Sequence, residues 1–258
     1  MIIANKKQLK EYRQVANLSS SILKQLVQAL KPGIYPIEID NLAQKLCQDN
    51  QVVPAFKGVG GPSNPYQYAT CISVNDTVVH GVPSSNQKLK VTDIVKIDFG
   101  IIANKLYTDH CVSVAIKKLT PQTEKLIKNA KRSVLSAVAK AITGNTVGDL
   151  GQAMYSVAKS EGFDVLKQYT GHGIGYTLHE NPSIFAYGQP HTGDILKKGQ
   201  VICVEDQVVE GSDQVYTADD GWSVKMSDQK NTAMFEYMVV VGKRPEILTQ
   251  TMDWPIVI

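Results

Sequence analysis

Four carboxylates stand inside otherwise apolar, strand-like runs. They are Asp98 in Ile94-Val95-Lys96-Ile97-Asp98-Phe99, Asp109 in Leu106-Tyr107-Thr108-Asp109-His110-Cys111-Val112, Glu205 in Val201-Ile202-Cys203-Val204-Glu205, and Glu236 in Met234-Phe235-Glu236-Tyr237-Met238-Val239. Taken singly, such an acid is an edge-strand or solvent-facing residue. Two from each half of the chain make a set, because acids are rarely fully buried unless paired or metal-bound. Asp98 and Asp109 flank a polar step at Ala103-Asn104-Lys105 that reads as a hairpin turn. A turn centred between Ala103 and Asn104 sets the two carboxylates directly opposite each other, at about 5 Å, where like charges repel. A shared proton or a divalent cation would hold them together. Nearby strands offer only Lys96 and Lys105 as counter-charge, neither matched in the second half. Metal accounts for the whole set better, and a histidine added to carboxylates suits a first-row transition metal.

Histidines are available in Thr170-Gly171-His172-Gly173-Ile174-Gly175-Tyr176-Thr177-Leu178-His179-Glu180. The glycines argue against a helix there, and on a straight strand the odd separation of His172 and His179 sends them to opposite faces. Both reach one site only if the chain bends, and spacing does not settle which one ligates. His80, in Asn75-Asp76-Thr77-Val78-Val79-His80-Gly81-Val82-Pro83, reads on its own as a hydrogen-bonded structural histidine. His110 points away from Asp109 on a strand and is expected to be structural, and His191 has weaker context still.

The elements that must position these groups follow from periodicity. Apolar residues at three-to-four spacing predict helices over about Lys6 to Leu30, Ile37 to Gln51, Pro121 to Ile142 and Val147 to Ser160. Strand-like runs cover Thr70 to Val74, Val78 to Val82, Ile94 to Phe99 and Leu106 to Ala115, then Val201 to Val209 and Ala233 to Val241. Long helix, glycine turn, short helix and strands thus occur twice. A duplicated α+β unit, with strand layers meeting inside and helices outside, explains both order and length. No Pro-, Ser- or charge-rich linker separates the halves, so 1–258 is expected to be a single domain with halves of about 1–118 and 119–258.

Composition restricts the partners. With 43% hydrophobic residues, 20% charged residues and a net charge of +3, the 258-residue chain has an ordinary globular composition and no dense basic tract for nucleic acid. Cys47, Cys71, Cys111 and Cys203 form no C-x-x-C pair, which argues against a zinc finger and a disulfide scaffold. There is no long apolar segment and no leader-like start, so a cytoplasmic location is expected.

The combination of Asn75 to Pro83, Ile97-Asp98 with Asp109, Gly171-His172-Gly173-Ile174-Gly175 with His179-Glu180-Asn181-Pro182, Val204-Glu205, Asp220-Gly221-Trp222 and Phe235-Glu236 closely resembles type I methionine aminopeptidase along nearly the whole chain. The resemblance implies the two-fold pita-bread fold and a centre of two divalent ions, cobalt, manganese, iron or zinc. By the same resemblance Asp98 binds one ion, Asp109 and Glu236 bridge both, and His172 with Glu205 completes the second. Glu205 would move the proton, His179 would hydrogen-bond the substrate and stabilise the developing oxyanion, and His80 would assist the leaving amine. Tyr66, Cys71, Leu178 and Trp222 would line the methionine pocket. Implied partners are nascent chains and peptides beginning with methionine and a small second residue, with transient ribosome contact, for a monomeric enzyme without membrane or specific nucleic-acid binding.

The sequence departs from the pattern at three positions: Leu178 replaces a frequent aromatic, Asp206 a common proline, and Tyr237 a frequent histidine. Xaa-Pro peptidases share the wording Ile97-Asp98-Phe99-Gly100 but usually add a large N-terminal domain. Type II enzymes carry a helical insertion for which the stretches between His179, Glu205 and Glu236 leave no room. Xaa-Pro peptidase activity on the same scaffold and a non-catalytic binding protein of this fold are the alternative readings.

Overall fold

The apolar stripe of Tyr12, Val15, Ala16, Ile22, Leu23 and Leu26 becomes the buried face of helix α1 (Lys6–Ala29). Asn5 starts it by accepting from the Gln8 N–H at 3.0 Å, satisfying one of the donors that a helix start leaves free. Helix α2 (Pro36–Asp49) opens on proline, whose missing N–H is no loss at the first helical position. The computed structural model describes residues 1–258. Strands of the first half are β1 (Val53–Pro54), β2 (Thr70–Val74), β3 (Thr77–Val79), β4 (Ile94–Phe99), β5 (Ile101–Ala103), β6 (Leu106–Tyr107) and β7 (His110–Ala115). The order then recurs with α3 (Pro121–Val138) and α4 (Val147–Ser160), followed by β8 (Asp164–Val165), β9 (Thr170–Gly173), β10 (Glu180–Phe185) and β11 (Val201–Val209). The chain finishes with β12 (Val215–Thr217), β13 (Val224–Met226), β14 (Thr232–Val240) and β15 (Glu246–Ile247).

Antiparallel strands β2, β4 and β7 form one central sheet, and β9, β11 and β14, flanked by β10, β8 and β15, form the other. Helices α1 and α2 cover the first, and α3 lies on β11 and β14 of the second. The sheets meet where β7 packs on β14. There the Ser113 hydroxyl donates to Met234 O at 2.7 Å and accepts from the Met234 N–H at 2.8 Å. Lys96, 1% exposed, reaches across the same junction. Its ammonium donates to Asn75 O at 2.8 Å, Thr232 O at 3.0 Å and Thr232 Oγ1 at 2.9 Å, and burial pushes its pKa down to about 7. Strand β3 also pairs with β13, so hydrogen bonds as well as apolar contacts join the halves.

The register differs from the one expected for the central hairpin. Its turn is Asn104-Lys105, with φ of +51° and +64°, so Ala103 pairs with Leu106 and Asp98 pairs with Cys111. Asp98 and Asp109 therefore share a face as diagonal neighbours and are not directly opposed. A two-residue turn of this kind needs positive φ at both positions, which asparagine accepts and lysine rarely does, so Lys105 gave no sign of it. The expected strand from Leu106 to Ala115 is broken at Thr108-Asp109, where the Thr108 side chain takes the Ile101 N–H at 2.9 Å in place of a regular ladder bond. Strand β3 stops at Val79 instead of Val82, because His80 turns the chain with φ of +55°. Helix α3 ends at Val138, short of the expected Ile142, as Ile142 and Thr143 are drawn into pairing with Gly242. Strands β1, β5, β8, β9, β10, β12, β13 and β15 lie outside the expected runs, and the other bounds move by one or two residues.

Gly100 faces the break at Asp109. A Cβ there would overlap the Thr108 carbonyl oxygen and press on Ala55 at 3.1 Å. Because the obstacle is backbone, Gly100→Ala is expected to destabilise the protein by about 2 kcal/mol. Thermal unfolding should show this as a fall of roughly 4 to 8 °C in Tm.

Candidate metal centre and substrate cavity

The directly opposed acids are Glu205 and Glu236, cross-strand partners on β11 and β14. His172 on β9 pairs with Cys203, which shares a face with Glu205 two residues on. Asp109 enters from the other sheet at the break between β6 and β7. His172 Nε2 lies 3.6 Å from Asp109 Oδ2 and 4.0 Å from Glu236 Oε1. Ligand-type atoms of Asp109, His172, Cys203 and Glu236 all fall within 4.8 Å of one another. Asp98 borders Asp109 on β4.

The electrostatics of this cluster are unfavourable without a cation. Burial, then Asp109 and Glu205, push the Asp98 carboxyl well above its usual range, and burial with Asp109 does the same to Glu236. Glu205 rises to about 7 through burial, partly offset by His172. Enclosed oxygens on Asp98 (Oδ1), Asp109 (Oδ1) and Glu236 (Oε1) meet no hydrogen-bond donor. Buried acceptors left in this way are costly, and a divalent cation satisfies several at once. His172 is prepared to match: with its proton on Nδ1 it donates to Gly173 O at 2.9 Å, which turns the Nε2 lone pair toward the carboxylates. The donor set thus fits a divalent metal.

The bend that the two histidines required is the β9–β10 turn. It brings the ring of His179 to 4.6 Å, centroid to centroid, from that of His172. Burial and His172 both lower the His179 pKa. His80, turned by its left-handed backbone, meets Tyr169 edge-on at 5.2 Å and Trp222 at 6.3 Å. It faces the same cavity. His110 lies on the opposite face, fully buried against Ser19 Oγ at 2.9 Å, as expected of a structural residue. His191 stands exposed beside Asp149.

The acids and histidines line a cavity of about 760 Å³ together with Tyr66, Cys71, Leu178 and Trp222. Tyr66 is held by its hydroxyl, which donates to Thr70 O at 2.9 Å and Gly81 O at 3.1 Å, and its ring meets Trp222 edge-on at 5.1 Å. Cys71 is fixed by its neighbour Thr70, whose N–H and hydroxyl both bond the buried Asp40 carboxylate of α2. Sequence reasoning missed Phe56, Val59 and Tyr169 in the lining and Gln207, whose amide donates to Glu205. Gln207 and Cys203 were findable as same-face strand neighbours of Glu205, whereas Phe56 and Val59 occupy an irregular loop without periodicity. Two departures, Asp206 and Tyr237, lie on the strand face opposite Glu205 and Glu236. Asp206 turns toward α3, where Ser133 donates to it, and burial raises its pKa to about 8.

Comparison with known proteins accords with this arrangement. Residues 10–243 match metallopeptidase family M24. A methionine aminopeptidase of Clostridium acetobutylicum is 34% identical, covering 96% of this chain and 98% of its own. One from Aquifex aeolicus is 31% identical, with 95% and 97% covered. The crystal structure of a methionine aminopeptidase from Thermotoga maritima superposes with a TM-score of 0.91 at 32% identity, over 96% of this chain and 99% of that one. A prolidase from Pyrococcus furiosus, 21% identical with a TM-score of 0.77, shares the fold, and this chain spans 66% of it. The chain therefore belongs to metallopeptidase family M24 and has its pita-bread fold of antiparallel sheets inside helices. Within that family it stands among the methionine aminopeptidases. Use of a divalent metal follows from the membership and from the buried cluster. No helix is long and apolar enough to cross a membrane.

The raised carboxyls set a pH dependence. Without metal, Glu205 and Asp206 keep their protons to about pH 7 and 8 when folded and lose them near pH 4 when unfolded. The native state then binds more protons, so the stability they contribute is full below about pH 4 and is lost as pH rises through 7 to 8. Tm of metal-free protein should fall between about pH 5 and pH 8, and added Mn(II) should raise Tm most at the upper end. Calorimetry across that range checks both.

Proposed function

We propose that the protein hydrolyses the first peptide bond of proteins and peptides that begin with methionine and a small second residue, with two divalent ions at the sheet junction. The observation that carries this reading is the set of donor-less carboxylate oxygens on Asp98, Asp109 and Glu236 at one cavity, whose wall also carries Phe56, Val59, Tyr66, Leu178 and Trp222. Asp98, Asp109, His172, Glu205 and Glu236 would hold the ions. Bound there, divalent cations supply Lewis acidity toward the scissile carbonyl and lower the pKa of water.

The chain's own groups do the remaining work. Glu205, oriented by Gln207, accepts a proton from the attacking water and passes it on. His179, neutral at physiological pH, donates a hydrogen bond to the substrate carbonyl oxygen as negative charge develops there. His80, held neutral by burial among Tyr169 and Trp222, stands beside the departing amine. Tyr66, Cys71, Leu178 and Trp222, with Phe56 and Val59, enclose the methionine side chain, a flexible thioether well suited to an aromatic-lined pocket. Residues 1–118 and 119–258 act as halves of one catalytic domain, a monomer working in the cytoplasm on nascent chains with transient ribosome contact.

Release of methionine from Met-Ala-Ser is the test. Activity should vanish after EDTA treatment, return with Mn(II) or Co(II) and be absent on an Xaa-Pro peptide; survival in EDTA would sink the metal mechanism. Asp109→Asn is expected to lower kcat by at least about 100-fold, corresponding to loss of about 3 kcal/mol, and to reduce bound metal. Elemental analysis of wild type and variant should show two ions falling to one or none, with Tm of the metal-free proteins changed far less.

A further inference from the structure

We propose that Cys203 is a further metal ligand of this centre: its sulfur binds, as a thiolate, the ion that His172 holds and biases that position toward thiophilic cations, Zn(II) ahead of Mn(II). The proposal deepens the metal reading given above and rests on it. Cys203 lies on β11, where it pairs with His172 of β9 and, two residues before Glu205, shares that acid's face. Its side chain is fully buried, and its sulfur makes one long contact, to Asp109 O at 4.0 Å. One ligand-type atom from each of Asp109, His172, Cys203 and Glu236 lies within 4.8 Å of all the others. An ion bound at about 2.3 Å to sulfur and about 2.1 Å to nitrogen or oxygen spans ligand atoms up to about 4.4 Å apart. Closing this set therefore takes shifts of at most a few tenths of an ångström.

An independent observation marks the same spot. Asp109 and Glu236, 5% and 1% exposed, each keep an enclosed carboxylate oxygen without a donor, which is the condition a cation relieves. One sulfur, one imidazole nitrogen and two carboxylate oxygens suit zinc, whereas manganese prefers oxygen ligands throughout. Asp109, His172 and Glu236 line the cavity and Cys203 does not, so the sulfur approaches from the buried side and leaves the cavity side to water and substrate. The thiol proton passes to solvent as the ion enters, so no co-reactant is needed. Nearness to an acid alone does not single out this cysteine. Cys71 and Cys111 flank Asp98 in register on β2 and β7, yet neither joins a group of ligand-type atoms with the histidine and the acids.

Metal-free protein given one equivalent of Zn(II) and measured by zinc-edge X-ray absorption should show one sulfur at about 2.3 Å. A shell of nitrogen and oxygen alone overturns the proposal. With Co(II) instead, wild type and Cys111→Ser should both show sulfur-to-cobalt charge-transfer absorption in the near ultraviolet, and Cys203→Ala should lose it. A band that survives in Cys203→Ala overturns the assignment. In competition titrations Cys203→Ala should bind Zn(II) at least about tenfold more weakly, with Mn(II) affinity changed by less than about threefold. Equal changes for the two metals, or none, overturn the selectivity. If Cys203→Ala does not fold, the wild-type zinc spectrum decides alone. A protein that binds zinc without sulfur and still releases methionine from Met-Ala-Ser loses this ligand and keeps the aminopeptidase reading, whereas one that binds no metal loses both.

Discussion

Carboxylates from two sheets converge on one small volume, and their mutual repulsion is the constraint around which the rest of the molecule is arranged. A hydrophobic junction would close without effort. Here Asp98 and Asp109 enter from one side and Glu205 and Glu236 from the other, and burial raises the charging cost of at least three of them. Keeping such groups together needs a rigid frame on each side and ties across the middle. Ser113 with Met234, and Lys96 with Asn75 and Thr232, are those ties. Neither lies in the cluster itself, and both hold the backbones that deliver it.

The frame is made of ordinary parts. Amphipathic helices capped by Asn5, Thr120 and the Thr146-Asp149 box press on sheets whose strands are buried on both faces. Departures from regularity occur where the site needs a side chain re-aimed. The break at Thr108-Asp109 turns an acid inward, the left-handed backbone at His80 brings a ring to the cavity wall, and the β9–β10 turn folds two histidines onto each other. Irregular backbone at a site of chemistry is where strain is useful, provided the surroundings over-determine it.

How much of this was legible in the sequence follows from which forces are local. Acids within apolar strands, and helices at three-to-four spacing, advertise themselves through periodicity, so Asp98, Asp109, Glu205 and Glu236 and all four helices could be read directly. The Asp98–Asp109 register could not, because it depended on Lys105 accepting a left-handed conformation that its side chain does not announce. Strands β9 and β10, rich in glycine and polar residues, carry no alternation; they exist because β11 offers an edge to pair with. Phe56 and Val59 come to the cavity through loop tertiary structure alone. The departures Asp206 and Tyr237 adjoin Glu205 and Glu236 along the chain, but strand alternation turns both to the opposite face, where Asp206 meets Ser133 of α3.

The ties between the halves also set the order in which the molecule can form. Asn75 and Thr232, or Ser113 and Met234, lie 157 and 121 positions apart, whereas each helix pair and each hairpin closes over a few tens of residues. Contacts over such spans cost more chain entropy than local ones, and the fold is complete only when the junction closes. Until then, each half presents apolar strand faces and unpaired acids to solvent, and neither half holds all four of the carboxylates. Assembly of the catalytic centre and completion of the fold are in this sense one event, and a chain that stalls before it is both inactive and exposed to aggregation.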